Sequence, residues 1–312
     1  MKRLLFWVGI ILLLGGVNQA SLLWINPYVI QVLGLAAIHI ILAASLNLVM
    51  GFTGQFSLGH AGFMAIGAYT SAAITVYGAP LFPSGFLFDQ ILFVIALFVG
   101  GIVSAFFGYL IGLPSLRLKG DYLAIVTLGF GEVIRVIILN MDFVGGARGF
   151  SGIPERTNLF WILLFMVFTL RFLWKSIYSV KGLSFRAVRD DEIAAESLGV
   201  SSTKVKVTAF VWGAFFAGLG GGLFAHLITY LNPSSFTFLK SVEIVAMVVL
   251  GGLGSFSGSV LAAVLLSVLP EFLRIVSDFR MVIYSLLIIL IMIIKPMGLM
   301  GYKEISFKFR KK

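Results

Sequence analysis

Cysteine is missing from all 312 residues, and Asp, Glu, Lys and Arg together make up only 12%. Without a thiol there is no disulfide framework, no thiolate metal site and no cysteine nucleophile. Three histidines occur, His39, His60 and His226, each in its own apolar context. No pair of them has metal-ligand spacing, so no metal or other cofactor is expected. No serine lies in a nucleophile-elbow pattern, and no Gly-x-x-x-x-Gly-Lys-Ser/Thr loop is present. The chain therefore lacks a convergent catalytic set, and any use of ATP needs a nucleotide site on another polypeptide. The formal net charge of +10 is dispersed over the ends of apolar segments instead of forming a stripe. That distribution speaks for membrane topology and against a nucleic-acid partner.

Apolar residues dominate: 60% of the chain is hydrophobic, and its mean hydropathy is strongly positive. An ordinary soluble domain is excluded. At about 20 residues per crossing, the length allows roughly eight to ten membrane segments in one all-α polytopic domain over 1–312. The 35 glycines favour close helix packing and broken or re-entrant helices.

Apolar segments are expected from Leu4 to Val17, Pro27 to Met50, His60 to Tyr77 and Ile91 to Leu113, the last ending at Pro114. Others run from Tyr122 to Met141, Leu159 to Tyr178 and Val207 to Leu231. The first follows Lys2 and Arg3 like a signal peptide, but Asn18 falls where a cleavage site wants a small residue, which favours an uncleaved helix. Glu243 to Leu250 and Val260 to Phe272 are short and flank a glycine-serine run, which predicts a broken pair. A final span from Met281 to Ile294 ends at Lys295. In this threading only Arg148, Arg156, Lys240, Arg274 and Arg280 are external and Arg135 lies within a span. All other basic residues are internal, which places both termini in the cytoplasm.

Two polar interruptions attract attention. Asn47-Leu-Val-Met-Gly51-Phe-Thr53-Gly54-Gln55-Phe-Ser57-Leu-Gly59-His60 combines helix-breaking glycines with uncharged hydrogen-bonding groups. Such a break at membrane depth is tolerated only inside protein or beside a water-filled path. Its pattern Gly51-x-x-Gly54-x-Phe56-Ser57 recurs as Gly251-x-x-Gly254-x-Phe256-Ser257, ahead of Gly258. Chance in a glycine-rich chain is one explanation; paired broken helices of an internal repeat are the preferred one. Asn47, Thr53, Gln55, Ser57, His60, Ser255 and Ser257 are the candidate pathway residues, and Gly51, Gly54, Gly59, Gly251, Gly254 and Gly258 the helix breaks. The alternative is close helix packing.

Glu132 and Arg135 are also candidates. Glu132 lies about 16 Å along a helix from Asp121, and Arg135 is one turn on, so the two can pair on one face. An ion pair at that depth is either functional or a device fixing helix register. The loop Gly145-Gly-Ala-Arg-Gly-Phe-Ser-Gly-Ile-Pro154 is read as external, either contacting a partner or turning flexibly.

The longest polar stretch runs from Gly182 to Lys206, within a cytoplasmic loop at about 181–206. It predicts a short helix capped by Asp190, with Asp191 and Glu192 at the positive end of the dipole and Gly199 at the left-handed stop. Ala194, Ala195 and Leu198 would share one face ringed by charge. The stretch is a docking surface for a soluble partner or an ordinary solvated loop.

From Arg186 to Val200 the stretch resembles the coupling loop of ABC-importer permeases and, more narrowly, of the branched-chain amino-acid permease family. Ala194, Ala195 and Gly199 keep the spacing of the importer motif, although Ile193 stands where a Glu is expected and Glu192 lies one place earlier. Asn47 to Gly62, Lys119 to Arg135 and Gly145 to Pro154 resemble other signatures of that family, so the likeness spans about Asn47 to Met300. It implies a membrane subunit making half of a pathway in a prokaryotic inner membrane. The implied partners are two cytoplasmic ATP-binding subunits, a second related permease and an extracytoplasmic substrate-binding protein. Arg186, Arg189, Asp190, Glu192, Ala194, Ala195, Leu198 and Gly199 are then the ATPase-coupling residues. Competing readings are a urea or amide permease of the same group, and an ion-coupled secondary transporter using Glu132.

Overall fold

The computed structural model describes residues 14–16, 18–19, 26–79, 85–115, 118, 120–274, 279–301 and 304, with only the backbone of 86 and 281. The expected first span falls largely outside these residues, as does the basic tail. Five described helices are long and apolar enough to cross a bilayer. They are Pro27–Asn47 (α1), which runs on through a π-helical turn Leu48–Phe52, Phe86–Ser115 (α3), Asp121–Leu139 (α4), Leu159–Ile177 (α5) and Ser202–Ile228 (α8). Between them lie His60–Gly78 (α2), Val180–Asp190 (α6) and Glu192–Ser197 (α7). Phe238–Gly251 (α9), Phe256–Phe272 (α10) and Arg280–Ile294 (α11) complete the order. Among the described residues no strand forms beyond one bridge, in which Phe150 and Leu231 exchange both backbone bonds.

Segment ends follow local chemistry. Asn26 caps α1 with Pro27 behind it, and Asn158 caps α5. Pro114 does not stop α3, which carries it in its last turn and ends at Ser115.

The least hydrophobic long helix is the most enclosed. α2 has 19 residues but its Gly, Ser, Thr and Tyr keep it out of the apolar spans, and it packs between α3 and α8. Gly67, Gly100 and Gly218 meet where the three helices cross: a Cβ on Gly100 would lie 2.8 Å from the Gly67 carbonyl, and one on Gly218 would lie 2.9 Å from the Gly100 carbonyl. Only glycine lets three backbones approach so closely. Of the buried polar groups here, Thr75 pairs with His226 at 2.8 Å and Ser45 with His60 at 2.9 Å, while the buried Tyr69 hydroxyl has no hydrogen-bond partner among the described residues. In contrast α4 and α5, with only 28% of their apolar windows buried, turn aliphatic side chains outward. This is the arrangement expected of a chain whose solvent is lipid.

The glycine-rich loop from Gly145 to Pro154 is pinned. Besides the Phe150–Leu231 bridge, the Tyr230 hydroxyl donates to the Arg148 carbonyl at 2.9 Å and the Tyr77 hydroxyl to Phe143 at 2.6 Å. Phe150 stacks on Tyr69 and Tyr77. Its positive-φ glycines set the path, and aromatic packing holds it.

Candidate functional site

At the end of α1 the backbone changes hand by stages. The π turn leaves a surplus carbonyl at Val49, which accepts from Thr53 Oγ1 at 2.7 Å and from the Gln55 amide at 3.1 Å. Gln55 Nε2 donates to Thr53 Oγ1 at 2.7 Å and to the Lys206 carbonyl at 3.3 Å. Gly54 takes φ +70°, and the chain stays non-helical until His60. Leu58 donates to Thr127 Oγ1 at 3.0 Å, and Ala61 to Ser241 Oγ at 3.1 Å, so α4 and α9 hold the far side of the break. Thr53, Gln55, Ser57 and His60 are all buried.

The second break separates α9 from α10. Gly252 and Gly254 take φ +114° and +85°, and Ser255 then caps α10 by accepting from the Gly258 amide at 3.1 Å. Ser257 Oγ donates to Glu304 at 2.7 Å, and Glu304 also accepts from the amides of Phe256 and Ser257. A carboxylate there suits the positive end of the helix.

The two breaks touch. Asn47 Nδ2 donates to the Ser255 carbonyl at 2.8 Å and to Ser259 Oγ at 3.1 Å, while its Oδ1 accepts from the Gly254 amide at 3.1 Å. A Cβ on Gly51 would collide with Asn47 Oδ1 and the Gly254 amide, and one on Gly251 with Gly258. The sequence-selected Asn47, Gly51, Gly54, Gly254 and Ser255 thus share one locus. Ser259 and Glu304 also belong to it; neither carries a sequence signal, because both are recruited only by the fold.

The polar loop forms two helices, not one. Ser179 caps α6, which buries Phe185 and Val188 and lays Arg186 over the Tyr178 ring at 4.8 Å. Burial beside Glu304 pushes the Tyr178 phenol up to about 12. Asp190 does not cap: it is the last residue of α6, and its carboxylate receives Arg189 Nε at 2.9 Å. Asp191 takes the extended backbone a cap requires, and its Oδ1 accepts from the amides of Ile193 and Ala194 at 2.9 and 3.0 Å. Gly199 is left-handed, as its position after the helix predicts. The expected shared face of Ala194, Ala195 and Leu198 is divided. Ala195 is buried against its own chain, whereas Ala194 is exposed and Ile193 and Leu198 are 74% and 85% exposed. Glu192 pairs with Lys206 at 2.6 Å and closes the loop on α8.

Arg189 reaches out of this loop into the breaks. Its Nη1 donates to the Gly51 carbonyl at 3.1 Å. A cavity of about 570 Å³ opens beside it, lined by Met50, Gly51, Gly54, Phe56, Asp190 and Leu253.

Glu132 and Arg135 stand apart. They pair at 2.7 Å as their spacing predicts, and Glu132 Oε1 accepts from the Phe238 amide at 3.1 Å. Phe238 begins α9 and the second break follows its end, about 20 Å away along the helix. His39 also lies outside the breaks, bonded to Ser267 at 2.7 Å and Lys240 at 2.9 Å.

Residues 28–295 match the family model described as branched-chain amino acid transport system, permease component. The high-affinity branched-chain amino acid transport system permease protein LivM of Salmonella typhimurium is 39% identical, over 90% of this chain and 72% of the relative. LivM of Escherichia coli K12 is 37% identical over the same shares. The corresponding protein LivH of Salmonella typhimurium is 25% identical, over 87% of this chain and 94% of its own. No solved structure matches. This multi-pass membrane chain belongs to the family of permease components of branched-chain amino acid transport systems.

Proposed function

We propose that this chain is a membrane-spanning subunit of an ATP-driven importer of branched-chain amino acids. It sits in a prokaryotic inner membrane with both termini cytoplasmic. It pairs with a second, related permease, receives substrate from an extracytoplasmic binding protein and engages two cytoplasmic ATP-binding subunits through α6 and α7. The eight to ten membrane segments of the sequence reading are completed by α2, the broken pair α9–α10, α11 and the segment before α1. Thr53, Gln55, Ser57, His60, Ser255 and Ser257 line the route when the breaks part. Their neutral polarity suits a zwitterion, which needs hydrogen bonds but no net countercharge.

The observation that carries this reading is the pair Ile193 and Leu198. They stand outward on the polar loop at 74% and 85% exposure, with Leu183 also exposed, while Phe185 and Val188 of the same loop are buried. Exposed apolar side chains ringed by charge mark a contact with another protein. Glu132 accepts from Arg135 and from the Phe238 amide, contacts that also serve a purely structural role in joining α4 to α9. The test co-expresses the chain with its ATP-binding partners and compares wild type with Ile193→Asp/Leu198→Asp. The variant should insert normally, lose ATPase co-purification and lose ATP-dependent leucine uptake. Uptake by the purified chain alone on a proton or sodium gradient would sink the proposal.

A further inference from the structure

Arg189 joins elements that the chain keeps far apart. It belongs to α6, yet its guanidinium donates to Gly51 in the first break. A Cβ on Gly254, in the second break, would lie 2.8 Å from its Nη1. A Cβ on Gly54 would lie 3.2 Å from its Cγ and 3.7 Å from its Cβ. Gly54 and Gly254 occupy the same place in the echoed pattern, both have positive φ, and both leave bare backbone against this one side chain. On its other edge the guanidinium is fixed, with Nε and Nη2 on the Asp190 carboxylate at 2.9 and 2.8 Å. A planar fork held on one edge and seated on a carbonyl with the other transmits position, which a flexible ammonium would not do.

We infer that Arg189 is the positioning residue that couples the cytoplasmic loop to the first glycine break, with the second break seated against it until the two part. The glycines of the repeated pattern are then its seat as well as helix breakers. This rests on the proposed function in one respect: what moves α6 is the partner it docks. With Arg189 as the link, a shift of α6 is delivered to the backbone at Gly51 and to the wall of the adjoining cavity.

Because the native chain has no cysteine, the link can be removed and rebuilt. The Cβ separation at 54 and 189 is close to the about 3.8 Å mean of disulfides. In the assembled transporter, Gly54→Cys/Arg189→Cys under reducing conditions should lower uptake by about tenfold or more. Mild oxidation should close the bridge and return uptake to within about threefold of wild type. Restoration by a covalent link at the same place is not expected of a residue that merely packs. Uptake near wild type in the reduced variant, or complete cross-linking without recovery, would overturn the inference.

A second measurement needs only the purified chain, so it stands even if no ATPase is captured and the proposed function fails. In Arg189→Ala, exchange of the Gln55 and Gly254 amides, now bonded to Val49 and Asn47, should quicken by about tenfold. Arg189→Lys should fall between, and unchanged exchange in Arg189→Ala would refute the link.

Discussion

The two glycine breaks share a sequence pattern and one left-handed step, and little else. Gly54 and Gly254 both turn left-handed at the same step. One residue later they part: Ser255 caps, so α10 begins at once at Phe256, whereas Gln55 cannot cap and α2 waits for His60. Gln55 instead spends its amide on Thr53 and on the Lys206 carbonyl. The equivalent aromatics also diverge, Phe56 being 39% exposed beside the cavity and Phe256 buried against Trp174. The first break is braced by α4 and α8, the second by the chain end, where Leu299 donates to Leu250 at 2.7 Å and Glu304 caps α10. A repeated glycine pattern therefore specifies a bend, and the residue after the second glycine decides how soon the next helix starts.

The comparison is broken most severely at Gly51. A valine there meets Asn47 Oδ1 and the Gly254 amide, both fixed, so relief requires the breaks to separate. Gly51→Val should cost about 3 kcal/mol or more and abolish uptake. Thermal unfolding of the purified chain measures the first effect, and a midpoint equal to wild type would contradict the contact. Next comes Asn47→Ala, which leaves the Gly254 amide, the Ser255 carbonyl and Ser259 without this partner at a buried site. The expected loss is about 2 kcal/mol, read by the same unfolding experiment. A loss below about 0.5 kcal/mol would mean that the breaks are held together elsewhere.

How much of this was legible in the sequence depends on range. Apolar runs and glycine placement locate the described helices but not all their ends. α3, α8 and α9 begin at Phe86, Ser202 and Phe238, about five residues before the expected Ile91, Val207 and Glu243, because the first turns are polar or lie outside the most apolar window. The Glu132–Arg135 pair followed from one helical turn. The cap was misplaced by one residue, since Asp190 and Asp191 are both good caps and only the Arg189 contact decides which is free. Ala195 was misassigned because small residues suit an own-chain contact and a partner contact equally well. Asn47 was selected as a polar residue beside a break, but its partners lie more than 200 positions away and no local rule points to them. Nor does a local rule point from Glu304 to Phe256 and Ser257, 48 and 47 positions earlier.

The mildest perturbation compares the breaks without unfolding either. Phe56 is partly exposed and Ser255 fully buried, although both lie within two residues of the glycine that turns their break. Loss of the exposed Phe56 ring removes little packing and should cost less than about 1 kcal/mol. Ser255→Cys keeps the shape of the side chain but weakens the α10 cap, at about 1 kcal/mol, which leaves the fold intact. In the resting protein a water-soluble maleimide should modify Phe56→Cys at nearly the rate of a free thiol, and Ser255→Cys slower by about a hundredfold, because burial both blocks the reagent and disfavours the thiolate. Adding ATP to the assembled complex should leave the first rate nearly unchanged and raise the second as Asn47 releases the second break. Equal rates at the two positions before ATP would show that the second break is not closed against the first. A rate at Ser255→Cys that stays low through active transport would leave the breaks joined throughout the cycle and move the route away from them.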